Sequence, residues 1–546
     1  MLEQLRSAGD NLRAAWDDYL HAYSAAQNIS IPRNPSHPKA SPEFYRQLDT
    51  ELTFLSSCEA KMQEIKVAIN RARHYSMGLA PIHSLPSEIL SRTFQFVLAQ
   101  RCDLHKLSSD NTYYPRYPDK LAHVCSLWRQ VAISCCSLWC HIDLSPYEPR
   151  YVGLLDRAQT YATRAGKLPI ELHVAESIYD LSKKVQTDYD DLYEFISSIS
   201  NRVEALNSFI DTHFWEFHRS VFGKLLPCQH PKLLKLVLRS QYNFNTFIHA
   251  EDFNGDQPNA PYEGFALNIT NNQIEDSFAP LTVLHLQGLF PLWSSVAYHG
   301  LVDLRLLSTD VYWSTIKEAE LISILKSSPG LRILHFGLRI SDPTPGTEQI
   351  SLVHFQDLRV VKLFPDFGGS GACPTSVLRL LAPGSKPLWL SFDGSYISES
   401  TSIAVLEKFL SRSRVGRFYT CSIFPPISMF LRHSAHLEYV VFESYDLSLR
   451  KKVSPTWLQA DGIASLPRLQ SLHFTSSTLL EEDLHSLLAF CPNGIVLYSC
   501  QVGRTEGSAY VQLNEKELSD IFPTVRSSDH PPYPLENPTA NWDLLD

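Results

Sequence analysis

LTVLHL (residues 281–286), LVDLRL (301–306) and LRILHF (331–336) share one template, with leucine or another large apolar residue at the first, fourth and sixth positions. The fourth and sixth positions lie two apart, the period of a strand that turns alternate side chains to one side. The template returns as LLKLVL (233–238), LRVVKL (358–363), LEYVVF (437–442) and LQSLHF (469–474). Weaker copies are PLWLSF (387–392), VGRFYTC (415–421) and NGIVLYS (493–499). Between copies run helical stretches such as EAELISILKSS (318–328), SIAVLEKFLSRS (402–413) and EEDLHSLLAFC (481–491). One strand and one helix cannot bury such a face alone. Units of this kind stack, with the strands in a parallel sheet and the helices over the other side of the core. An α/β sheet without solenoid form is the plainer alternative.

The pattern resembles the leucine-rich-repeat family in an irregular form. Copies begin at 281, 301, 331 and 358, so the spacings are 20, 30 and 27 residues. The asparagine that usually follows the strand is missing from most copies. The resemblance implies a solenoid over residues 145–502 whose concave surface is displayed to a protein target. Upstream, residues 149–165 read as a helix, PIELHV (169–174) as a strand and DDLYEFISSIS (190–200) as a helix. Residues 240–279 are polar and Asn/Gly/Pro-rich. They read as a long loop or as one degenerate repeat at FALNI (265–269).

A second stretch is organised differently. SLPSEILSRTFQFVL (84–98) has Pro86 where a first helical turn tolerates a missing N–H, and Ser84 or Ser87 to cap it. Leu85, Ile89, Leu90, Phe94, Val97 and Leu98 form a broad apolar face. LAHVCSLWRQVAISCCSLWCHIDL (121–144) repeats the logic with Leu121, Val124, Cys125, Trp128, Val131 and Ala132, and ends in an extended HIDL. Helices this short cannot hide two tryptophans and so much aliphatic surface among themselves. The surplus predicts a partner or a neighbouring domain.

These two pieces together resemble an F-box, in the form common in fungal F-box-like proteins. The departure is a long polar insertion, Arg101 to Lys120. The resemblance implies a three-helix motif over residues 79–144 that binds a Skp-type adaptor of a cullin ubiquitin ligase. The residues it assigns to adaptor contact are Leu85, Pro86, Ile89, Leu90, Trp128 and Trp139, some of which must be internal core.

Residues 1–78 read as two helices, 1–27 and 42–75, separated by a segment with four prolines, SIPRNPSHPKASP (30–42). In the second helix Leu55, Cys58, Met62, Ile65, Ile69 and Ala72 alternate steps of three and four. This heptad-like seam suits a coiled coil or, more simply, an antiparallel hairpin with the first helix or packing onto the F-box-like stretch. Residues 503–546 contain a Pro-rich run and read as an extended, disordered tail.

The chain has 546 residues, enough for two to four structural units, and its 44% hydrophobic and 19% charged content is that of a globular protein. Net charge is −10, from 48 basic and 58 acidic residues, with no long basic run, which argues against a nucleic-acid partner. No uncharged apolar window is long enough to span a membrane, and no signal peptide is read. The 11 cysteines are scattered at irregular spacing, which reads as reduced thiols in the cytoplasm or nucleus.

No catalytic signature is present. GGSGACP (368–374) lacks the Lys-Ser/Thr of a phosphate loop. Cys135, Cys136, Cys140 and His141 come nearest to a metal cluster but have no second matching pair, so they read as core thiols. His433 and His436 stand at i, i+3 with no carboxylate motif. The expectation is therefore a non-enzymatic substrate receptor with no cofactor and no metal. Its adaptor-and-cullin complex would be met through residues 79–144 and an unknown protein substrate through the repeats. The alternative is a repeat scaffold in which the F-box-like helices only cap the solenoid. An enzyme of unknown type is the remote third reading.

Overall fold

The structure is a computed structural model. It describes residues 2–30, 42–75, 82, 85–98, 118–146, 148–174, 188–210, 214–227, 233–240, 246–251, 264–309, 314–342, 352–364, 374–392, 399–421, 425, 427–445, 469–491, 493–506 and 509–528. The chain divides into two compact units. One takes Met1–Arg92 with Ala122–Val131, the other Thr93–Leu121 with Ala132–Asp546. The fold is mixed α/β, with N-terminal helices and one long parallel sheet.

In the first unit, helix α1 (Leu2–Ser30) and helix α2 (Pro42–Tyr75) are long and mostly exposed. They meet at Tyr19, whose hydroxyl donates to Glu51 at 2.7 Å and whose ring lies 6.4 Å from that of Phe54. The heptad-like seam of α2 faces outward at Met62, Ile65 and Ile69, each about half exposed.

The second unit is built on the sheet. Among the described residues it has fourteen strands in sequence order: β1 (His141–Leu144), β2 (Ile170–Val174), β3 (Val203–Ile210), β4 (Lys235–Ser240), then Val283–Gln287, Asp303–Leu307, Ile333–Gly337, Val360–Leu363, Leu388–Phe392, Val415–Thr420, Tyr439–Glu443, Ser471–Thr475, Ile495–Tyr498 and Val525–Ser528. All neighbours pair parallel. Parallel neighbours require a crossover, and the intervening chain supplies it.

The register explains the template. Its fourth position forms one continuous row: Leu236, Leu284, Leu304, Leu334, Val361, Leu390, Phe418, Val440, Leu472 and Ile495 stand opposite one another. Every member is at most 2% exposed. The sixth position gives a parallel row through Leu238, Leu286, Leu306, Phe336, Leu363, Phe392, Thr420, Phe442, Phe474 and Leu497. The crossover helices carry buried apolar faces of their own, such as Phe195, Ile196 and Ile199 on Asp190–Ile199 and Leu321, Ile324 and Leu325 on Glu318–Ser327. The one early polar member of the inner row, Ser208, is satisfied by the buried His218 Nδ1 at 3.0 Å.

Several strand exits use backbone geometry. Gly288, Ser444, Ser476 and Ser499 take positive φ values of 76°, 55°, 49° and 50°. Each donates its N–H to a carbonyl at the end of the next strand, at 2.9–3.3 Å. Two glycines before a first leucine differ in their need for the left-handed region. Gly300 has φ 68°, Gly330 does not, and neither has an atom within 4 Å of a built Cβ. Gly300→Ala is expected to cost about 1 kcal/mol, read as a lower urea midpoint, while Gly330→Ala is expected to raise the midpoint slightly, a gain of about 0.4–1 kcal/mol. Equal midpoints for the two variants would contradict the assigned backbone.

HIDL, read as extended at the end of the F-box-like stretch, is the first strand of the sheet, because Ile142 and Leu144 continue the two buried rows onto Leu172 and Val174. Two other sequence expectations differ from the structure. The long sheet also runs past residue 502, to Val525–Ser528. Strands Gln501–Glu506 and Ala509–Gln512, which form a separate small sheet with Thr478–Leu480, and helix Glu515–Ile521 also occupy part of the segment read as a disordered tail. There the Asn514–Glu517 capping box starts the helix, and Leu518, Phe522 and Val525 are buried. The Pro-rich end, 529–546, lies outside the described residues, as do 101–117 of the expected insertion. FALNI is not a strand of the main sheet. Phe265–Leu267 joins a small separate sheet with Thr246–Ala250 and Leu289–Pro291, followed by helix Asn271–Phe278 capped by Thr270 and Gln273.

Candidate functional site

Two regions of the described residues are candidates for a functional site. The first is helix α3 (Ser87–Leu98), entered through Leu85 and Pro86. Spacing sorts its side chains. Leu90 and Phe94, four apart, are at most 1% exposed, while Ile89 (50% exposed) and Phe96 (65%) stand out in solvent. Leu85, Pro86 and Val97 are also exposed. Helix α4 (Pro118–Ala122) and helix α5 (Ser126–Ser134) follow. Arg129 Nε donates to the Ala122 carbonyl at 2.9 Å and ties the start of α5 to the end of α4.

Of the six residues assigned to adaptor contact, Leu85, Pro86 and Ile89 are exposed and Trp128 is half-buried. Leu90 and Trp139 have no surface to offer, each being 0% exposed. Trp139 is an internal anchor. Its Nε1 donates to the Ala132 carbonyl at 2.8 Å, and its ring meets Tyr161 edge-on at 5.0 Å. The Arg164 guanidinium sits 4.3 Å from the ring centre. Tyr161 and Arg164 belong to helix α6 (Glu148–Arg164), so this tryptophan fastens α6 to the start of the sheet. Phe96 was missed in the sequence, although it is i+7 from Ile89 and so on the same helical stripe.

The second surface is the face of the sheet opposite the leucine rows. Near its middle, Asp303 accepts from Arg305 through two guanidinium nitrogens, at 3.0 and 2.8 Å, and lies 2.9 Å from His285 Nε2. Burial tends to raise the Asp303 carboxyl. The hydrogen bonds from His285 and Arg305 outweigh it and hold the group below the usual carboxylate range. Further along comes a strip of aromatic side chains. The Arg417 guanidinium lies 4.3 Å from the Trp389 ring centre, and the Tyr419 hydroxyl donates to Glu443. Tyr439 stands 4.4 Å from His473, whose other neighbour is Tyr498 at 5.8 Å. Trp389 and Tyr439 pack on a patch of Ile333, Val360, Tyr419 and Val441. Tryptophan, tyrosine and arginine around an apolar centre are the composition of protein-binding hot spots. The sequence signal was the third, fifth and seventh residues of the copies, which alternation turns to the face opposite the fourth and sixth.

His473 makes this strip acid-sensitive. It is 9% exposed between two aromatic rings, and burial pushes its imidazole down to about 4. An unfolded histidine titrates near 6.5, so the unfolded chain binds the extra proton first. The stabilisation is complete above about pH 6.5 and is lost as the pH falls to about 4. Unfolding free energy from urea titrations is expected to drop between pH 7.5 and pH 4.5 by about 2–3 kcal/mol more in the native chain than in His473→Gln. Parallel pH curves for the two proteins would remove His473 as the cause.

The thiols read as core are not buried together. Cys136 is exposed and Cys135 and Cys140 are half-buried. Cys140 Sγ turns to the Cys136 carbonyl at 3.6 Å, and His141 turns away from all three, toward Asp143 and the next strand. His433 meets Glu407 at 3.3 Å. Among the described residues no helix is long and apolar enough to cross a membrane.

No family model matches this chain, and no curated protein matches it. Among solved structures, a chain from the crystal structure of a Rad7 and Elc1 complex in yeast is similar at 12% identity and a TM-score of 0.30, over 78% of this chain and 93% of that one.

Proposed function

We propose that this chain is a substrate-receptor subunit of a Skp–cullin–F-box ubiquitin ligase, with the leucine-rich-repeat sheet as its target-binding part. Helix α3 docks a Skp-type adaptor, and the half-buried Trp389, Arg417, Tyr439 and Tyr498 on the face of the sheet opposite the leucine rows hold a protein target. The chain performs no covalent chemistry. It raises the effective concentration of target near the ligase machinery.

The observation that carries this reading is the division of α3. One side is buried through Leu90 and Phe94, while Leu85, Pro86, Ile89 and Phe96 leave large apolar groups in water. Fully burying one such side chain is worth about 1.5–3 kcal/mol, so a cluster of them supports a partner. The scaffold alternative turns these residues inward as a cap, and the exposure of Ile89 and Phe96 favours docking over it. The direct test is titration of the purified full chain with a purified Skp-type adaptor by calorimetry. Saturable binding at one adaptor per chain is the expected result, and a folded chain that binds no adaptor would leave the scaffold reading as the better account.

A further inference from the structure

We propose that β1 and β2 form a binding site for a divalent transition-metal ion, with zinc the best-fitting occupant, held by His141, Asp143 and His173. The site is on the face of the sheet opposite the leucine rows, at the β1 edge.

The parallel register builds it. His141 stands opposite Glu171 and Asp143 opposite His173, so two strands place two imidazoles and two carboxylates in a square on one face. Asp143 Oδ1 is 3.1 Å from His141 Nε2 and 3.8 Å from His173 Nδ1. Ligand atoms of the three residues lie within 4.8 Å of one another. A tetrahedral zinc ion with bonds near 2.0–2.1 Å separates its donors by about 3.3–3.5 Å, and the pairwise distances here bracket that value.

The surroundings match a metal site in two further respects. The outer nitrogens of both histidines face one carboxylate. His141 Nδ1 is 3.5 Å from Glu171 Oε2, and His173 Nε2 is 3.4 Å from Glu171 Oε1. A carboxylate that accepts the remote N–H of each imidazole fixes the tautomer that points its lone pair at the ion. Lys235 Nζ, 3.1 Å from Glu171 Oε1, holds that outer carboxylate in turn. The charge also asks for a cation. Asp143 is 5% exposed and His173 9%, and with neutral imidazoles the group formed by Asp143, Glu171 and Lys235 carries a net negative charge. Two nitrogens and one oxygen suit zinc and its first-row neighbours rather than calcium or magnesium. Three protein ligands leave a fourth position for water or a donor from a bound partner. The same charge can be met by a proton on His141, and the experiment separates the two.

The full chain, stripped with chelator, would be titrated with zinc by calorimetry and with cobalt(II) by visible absorption. One equivalent is expected to bind, with d–d bands of a nitrogen/oxygen site and no thiolate charge-transfer band. Asp143→Asn keeps the shape and is expected to weaken binding by about 100-fold or more, and Glu171→Gln, which leaves the ligands, by about 10–100-fold. Cys136→Ser with Cys140→Ser is expected to bind as the native chain does. The proposal fails if the native chain binds neither ion or if Asp143→Asn titrates like it. It also fails if cobalt shows a thiolate band that the cysteine variant loses. Should Asp143→Asn not fold by circular dichroism, Glu171→Gln and the cobalt spectrum of the native chain still decide.

Discussion

Trp139→Ala is expected to lower the unfolding free energy of the sheet-bearing unit by about 3–5 kcal/mol, the cost of a large aromatic removed from a closed core. Trp139 is 0% exposed and has contacts on several sides: the Ala132 carbonyl at 2.8 Å, Tyr161 at 5.0 Å and Arg164 at 4.3 Å. Alanine would leave a cavity and take the packing partner from Tyr161, whose hydroxyl is itself engaged with Asp119 at 2.8 Å. Trp139→Phe keeps most of the volume and loses the indole hydrogen bond, so about 1–2 kcal/mol is expected. The measurement is urea unfolding followed by circular dichroism. A Trp139→Ala chain as stable as the native one but unable to bind adaptor would reverse this placement and make the tryptophan a contact residue.

The second large effect is on association. Ile89→Asp combined with Phe96→Asp is expected to reduce adaptor affinity by about 100-fold or more, because central apolar anchors each contribute about 2 kcal/mol or more. Both side chains are at least half exposed, so the folded state loses little by the change. Leu90→Asp is the contrasting variant. Its side chain is 0% exposed, and a buried unpaired carboxylate would unfold the helix rather than remove a contact. The expected pattern is lost binding with an unchanged melting curve for the first variant and a shifted melting curve for the second. Native affinity in the Ile89/Phe96 variant would end the docking role of this face.

Much of the sheet was legible because its signal is local. Seven clear copies and three weaker ones of a six-residue template all became neighbouring strands, since alternation alone decides which side chains of a strand share a face. β3 and the last strand escaped notice for the same reason in reverse. Val203–Ile210 places Ser208 in the inner row, and Val525–Ser528 is short and polar, so neither spells the template. Pro-rich composition after residue 528 coloured the reading of 503–528, where the buried Leu518 and Phe522 were too few to notice.

The candidate sites were less legible because each depends on something the linear order does not hold. For α3, periodicity marked an apolar helix but did not say which stripe is covered. Leu90 and Ile89 are adjacent and chemically alike, yet one is fully buried and the other half exposed. His141, Asp143, Glu171 and His173 appear in the chain as two unremarked i, i+2 pairs about thirty residues apart, and only the parallel register of β1 on β2 makes them a cluster.

By itself, then, the amino-acid order determined the repeating strand, the helices between copies and the two long N-terminal helices, all of which follow from side-chain periodicity and chain breakers over windows of a few residues. Tertiary structure alone decided which apolar residues face water, where the sheet begins and ends, and which charged residues of separate strands meet. Those outcomes depend on pairing register and on what packs over each face, and both are set by contacts between segments far apart in the chain.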